Sequence, residues 1–172
     1  MKRPLVTVLI VIICFLLEST VFQSLSFASI TPNLLIVVTA SFGFMRGKRE
    51  GMLVGFLSGL IIDVFFGDLI GFYALIYMVL GYVNGFFKRI FYPDDIKLPL
   101  ILISASDFVL GNAVFVFLFM MRSKFDYWYY LGHIIIPELI YTVLVTLVLY
   151  QIILHINQAL EAEEKRSASK FV

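Results

Sequence analysis

The chain has 172 residues, 61% hydrophobic and 15% charged, with a mean hydropathy of +0.99. Soluble domains hold about 45–50% apolar and about 25% charged residues, and a domain this small has no interior for the surplus, so lipid is its main solvent. Soluble enzymes and secreted disulfide scaffolds are excluded, the net charge of +1 gives no nucleic-acid footprint, and the single cysteine, Cys14, cannot close an internal disulfide.

In chain order, residues 5–24 form a first apolar segment, broken only by Glu18 and small polar residues. Its basic start resembles a signal peptide, but no small-x-small cleavage site follows, and it reads as a retained helix. Residues 32–45 form a second segment, with Thr31 as N-cap and Pro32 in the first helical position. Segments 51–66 and 69–87 are separated by the Gly67-Asp68 turn signal. Segments 98–121 and 133–156 complete the set. The first, fourth, fifth and sixth reach the roughly 20 residues that cross a bilayer, and the second and third are short. The expectation is an all-α integral membrane protein of six transmembrane helices, a single domain over 1–160 with a short cytoplasmic tail over 161–172.

Six crossings put the N-terminus, the turn at Arg46, Lys48 and Arg49, the connection with Lys88, Arg89 and Lys97, and the C-terminal tail on one side. That side holds eleven of the 13 Lys and Arg residues and the other only Arg122 and Lys124, so the positive-inside rule places both termini in the cytoplasm. Tyr127, Trp128, Tyr129 and Tyr130 suit an interfacial aromatic belt better than an extracellular ligand cage.

Four carboxylates fall within apolar segments, where each is costly unless paired or hydrated: Glu18, Asp63, Asp107 and Glu138. The topology places three of them in the outer half, near Arg122, Lys124 and His133. They suit interhelical bonds, caps or a partner contact better than a proton relay or a polar pocket, and none has a second carboxylate at metal-pair spacing. Asn84 and Asn112 read as isolated. Gly47, Gly51, Gly55 and Gly59 recur at every fourth residue, and Asp63 continues the series. Such a small-residue ridge lets another helix cross closely. Gly67 with Gly71, and Gly81 with Gly85, repeat the spacing. No Walker A, zincin or nucleophile-elbow motif is present.

The order Pro32-Asn33-Leu34, the basic turn Arg46-Gly47-Lys48-Arg49-Glu50-Gly51, the run from Gly55 to Asp63, the Gly67/Gly71 step, Tyr73-Ala74-Leu75 before Gly81-Tyr82, and Tyr141-Thr142 in the last segment resemble the rod shape-determining protein MreD family. The resemblance implies a non-catalytic component of the bacterial inner (cytoplasmic) membrane with no cofactor. It would bind the bitopic protein MreC and work with RodZ, MreB, RodA and a class B penicillin-binding protein in lateral peptidoglycan synthesis. It also implies a fold similar to the S components of energy-coupling-factor transporters. The positions carried over, as partner-binding or helix-packing residues, are Pro32, Asn33, Glu50, Gly51, Gly55, Gly59, Asp63, Gly67 and Gly71. Glu18, Asp107 and Glu138 rest on their intramembrane position alone. The alternative is a vitamin-binding transporter subunit, which would want an alanine-rich stripe on the first helix; Leu5 to Leu17 contains no alanine.

Overall fold

The computed structural model describes residues 2–22, 30–67, 69–119 and 126–168, and every regular element among them is helical. Helix α1 (Lys2–Leu16) continues through a wider turn, Leu17–Phe22. Helices α2 (Leu34–Arg46) and α3 (Lys48–Phe66) are joined by Gly47 alone. Helix α4 (Phe72–Asn84) tightens into the turn Gly85–Ile90. Helix α5 (Lys97–Val114) widens over Phe115–Phe119. Helix α6 runs unbroken through Tyr127–Tyr130, a wider turn at Leu131–Ile135, and Ile136–Ala168.

The six helices occur in the expected order, and several bounds differ. Helix α2 starts at Leu34, not Pro32: Asn33 is the cap, its Oδ1 accepting from the Ile36 N–H at 3.0 Å, and Pro32 lies just before it. The basic stretch read as a connection, Arg46 to Gly51, is helical except for Gly47, whose φ of 106° makes the reversal in one residue. The fourth segment, expected as a full-length crossing, is α-helical for only 13 residues. The sixth is longer than expected at both ends, taking in the aromatic run and part of the tail read as frayed.

Three stretches are long and apolar enough to cross a membrane: Arg3–Val21, Lys97–Phe117 and Tyr127–Arg166. Their large apolar side chains face outward, among them Leu5, Leu9, Ile101, Val109, Leu144 and Val148. Helix α2 is the opposite case. All of its 13 residues are buried, sheathed by α1, α3, α4, α5 and α6. At 1.5 Å per residue it spans about 20 Å, short of the roughly 30 Å hydrocarbon core. Because its neighbours are protein, it does not have to match that thickness.

The start of α1 and the last turns of α6 meet at one end of the bundle, where Arg3 and Glu164 are 3.0 Å apart. The N-terminus of α2, the end of α3 and the start of α4 lie toward the other. The closest-packed pair is α3 with α4.

Candidate functional site

Three features organise the interior: a glycine seam, a charged knot where the start of α1 meets the last turns of α6, and a polar cavity at the opposite end.

The seam lies between α3 and α4. A Cβ added to Gly55 would collide with the carbonyl of Tyr77, and one on Gly59 with the carbonyl of Tyr73. Gly51 and Gly81 face each other's backbone, and Gly85 meets the backbone of Lys48. The ridge is therefore filled by the chain's own α4, so it offers no free groove to another subunit. The Gly67/Gly71 repeat does not belong to it. Gly67 ends α3 with its N–H on the Asp63 carbonyl, and Gly71 begins α4 with φ +101° and nothing near its absent Cβ. These two glycines shape a turn.

Asp63 closes that turn. It is 1% exposed. Its Oδ2 accepts from the N–H groups of Gly71 and Ala74 and its Oδ1 from that of Tyr73, each at 2.9 Å. Three donors that α4 cannot satisfy internally thus receive one carboxylate, with the helix dipole in the favourable sense. Arg122 and Lys124, the basic partners expected for Asp63, lie outside the described residues.

The knot is built on Arg46, the last residue of α2, whose side chain is 1% exposed. Sequence reading assigned it to a loop. Its Nε donates to Oδ1 of Asn157 at 2.6 Å, and its Nη1 donates to Glu50 at 3.1 Å and to Thr7 at 3.4 Å. Glu50 also approaches Arg3, and the Nζ of Lys88 donates to the Arg46 carbonyl. Helices α1, α2, α3 and α6 and the turn after α4 are tied here. Asn157 was not singled out from sequence: Gln151, His155 and Gln158 stand near it in the same helix, so no lone polar residue marks the position. Asn84 and Asn112, read as isolated, are both bonded: Asn84 to Ser106 and the Leu80 carbonyl, Asn112 to Phe108 and Tyr127.

The third feature is a partly open cavity of about 520 Å³ at the N-terminus of α2. Oε2 of Glu18, presented by the wide turn of α1, accepts from the N–H groups of Leu34 at 3.0 Å and Leu35 at 3.2 Å. Asn33 donates its own N–H to the Thr142 hydroxyl and accepts the Tyr77 phenol at 2.9 Å. Thr142 in turn is hydrogen-bonded to the carboxylate of Asp107, whose other oxygen is buried without a partner. Glu18, Asn33, Tyr77 and Glu138 supply the polar wall of the cavity, and Phe15, Phe66, Tyr73 and Tyr130 its aromatic wall. The structure thus brings Glu18, Asn33, Asp107 and Glu138 toward one end, keeps Asp63 in its own turn, and puts Glu50 in the knot. Tyr130, read as part of an interfacial belt, lines the cavity, whereas Trp128 is 81% exposed. Tyr73, Tyr77 and Tyr130 were not picked out as site residues, since the helices that carry them meet only in the fold. Among the described residues, no group of His, Cys, Asp and Glu has the arrangement to hold a metal ion.

A bundle whose regular elements are all helical among the described residues, with apolar outer surfaces and with Glu18, Arg46, Glu50 and Asp63 used for helix caps and interhelical ties, is a membrane protein. More particularly, residues 1–159 match the model of the rod shape-determining protein MreD family, and the chain belongs to that family. A comparison with curated proteins and one with solved structures gave no match.

Proposed function

We propose that this chain is a non-catalytic component of the bacterial cell-elongation complex, in the inner membrane, where it holds the bitopic protein MreC and, through the complex, works with RodZ, MreB, RodA and a class B penicillin-binding protein. The observation that carries the reading is the family match across residues 1–159, which makes rod shape determination the process concerned. The interior supports a scaffold. The charged side chains of the knot and the Asp63 turn fasten helix to helix, and none of them forms an arrangement of nucleophile and base. The chain crosses the membrane six times in this reading, with both termini cytoplasmic. The basic residues support it, since Lys48 and Lys88 lie at the bundle end where Arg3 meets Glu164. The likeness of the bundle to energy-coupling-factor S components belongs to the same proposal.

In this proposal Gly51, Gly55 and Gly59 act as helix-packing residues, Pro32, Asn33, Asp63, Gly67 and Gly71 shape helix ends and the turn, Glu50 ties helices in the knot, and the partner docks on the outward apolar faces of the bundle. The vitamin-transporter alternative gains nothing: α1 turns bulky Leu5, Leu9, Ile12 and Leu16 outward, where a small-residue coupling stripe would be needed.

The test is rescue of rod shape in a depleted strain, together with co-purification of MreC at matched expression. Rescue with MreC retained supports the scaffold. Normal shape in cells that lack the chain altogether overturns it.

A further inference from the structure

The cavity has a composition that the scaffold role does not require. Its volume of about 520 Å³ lies within the range of about 300–1,000 Å³ typical of small-molecule sites. Two carboxylates, Glu18 and Glu138, line it, and no Lys, Arg or His does among the described residues. Glu18 spends one oxygen on two backbone N–H groups of α2. Asp107 adds a third acidic group one turn before Leu110 and Gly111, which also line the cavity, and it is 5% exposed with Oδ1 unpartnered.

The wall also carries five rings, Phe15, Phe66, Tyr73, Tyr77 and Tyr130, beside aliphatic Ile62, Leu110 and Val114. Phenol and phenyl rings attract a cation through their faces, and more strongly when water is excluded. The helices are also distorted around this space. The wide turns Leu17–Phe22, Phe115–Phe119 and Leu131–Ile135 all fall at the cavity end of their helices, the first containing Glu18 and the others adjoining Val114 and Tyr130. Wider turns of this kind are frequent at functional sites. Acidic groups that no cation among the described residues faces, in a cavity with five rings in its wall, select positive charge. A bare metal ion would want converging carboxylates, and the rings would give it nothing.

We propose that the cavity binds an organic ammonium group carried on an apolar body, with Glu18 and Glu138 as counter-ions and Tyr73, Tyr77 and Tyr130 around the cationic head. The same chemistry comes from two sources, a free amine or the amino headgroup of a lipid. This inference does not depend on the partners proposed above.

The experiment uses the full chain, purified in a zwitterion-free detergent. Equilibrium dialysis measures labelled phenethylamine against phenethyl alcohol, its near-isostere without charge. Native mass spectrometry compares retention of phosphatidylethanolamine with that of phosphatidylglycerol of identical chains. Saturable binding of the amine, or selective retention of the ethanolamine lipid, is expected, and which of the two occurs identifies the source. Glu138→Gln is expected to weaken that binding at least tenfold with unchanged thermal unfolding, because Glu138 takes no part in the capping of α2. Glu18→Gln removes a helix cap as well, so Tyr130→Leu serves as the second variant and is expected to weaken binding several-fold. Equal binding of amine and alcohol with no preference between the lipids, undiminished binding by a folded Glu138→Gln protein, or no saturable binding of either probe overturns the proposal.

Discussion

The Nε of Arg46 donates to Oδ1 of Asn157 at 2.6 Å, joining the end of the innermost helix to the last helix across 111 positions of sequence. The guanidinium is buried, so the amide that faces it has no water to replace it. Asn157→Ala should therefore destabilise the protein by about 2 kcal/mol or more, the cost of leaving a charged donor unmade. Arg46→Met should lose less than Arg46→Ala, since it retains apolar volume. Unfolding in mixed detergent–denaturant micelles measures both, and an Asn157→Ala protein as stable as wild type would show that the bond contributes nothing.

The Asp63 turn gives a graded series. Both carboxylate oxygens are used, one by Tyr73 and the other by Gly71 and Ala74. An amide puts an N–H where one of those oxygens stood, so Asp63→Asn is expected to cost about 1–2 kcal/mol, as for a lost cap. Asp63→Leu, which abandons all three donors, should cost about 3 kcal/mol or more. Co-purification of MreC should follow stability in this series. Loss of MreC from a fully stable Asp63→Asn protein would point to a direct contact instead.

Glycine substitutions should separate by mechanism. Gly55→Ala and Gly59→Ala drive a methyl into the carbonyls of Tyr77 and Tyr73 and should lower folded yield sharply, with overpacking of about 3 kcal/mol. Gly71→Ala meets no atom within 4 Å but must hold φ +101°, a strain of about 1–2 kcal/mol. Gly132→Ala meets open space and should be neutral. Expression and thermal unfolding across the four variants read this order directly, and equal tolerance at Gly55 and Gly132 would contradict the seam.

Topology is open to cysteine labelling. In a Cys14→Ala background, single cysteines at Ile70 and Tyr127 should react with an impermeant maleimide from outside, and those at Lys48 and Asp94 only after the membrane is opened. The reverse pattern would invert the protein.

The number and order of helices follow from hydropathy because lipid imposes it on every outward face. The four-residue glycine spacing is equally visible along the chain. The identity of the neighbour is not, since Gly55 meets the carbonyl of Tyr77 and a backbone atom has no signature in a side-chain pattern. Asp63 is opaque for the same reason: its partners are three backbone N–H groups. Arg46 was misplaced because charges beside a glycine ordinarily mark a loop, and here one residue of positive φ suffices for the reversal. The cavity draws on α1, α2, α3, α4, α5 and α6 at once, and only the assembled bundle brings Glu18 and Glu138 to one space.

The complete enclosure of α2 has a consequence for how the protein is made. A segment of 13 residues that ends in a buried arginine has little reason to leave the translocation machinery for lipid by itself. Its proper surroundings exist only once α6, some hundred residues later, has been synthesised and has brought Thr142 and Asn157 to its two ends. Membrane entry and tertiary assembly cannot then be separate stages for this helix. A ribosome-stalled chain truncated before α6 should hold α2 in a non-native place, and biogenesis of this small protein should depend on whatever shelters that helix in the interval.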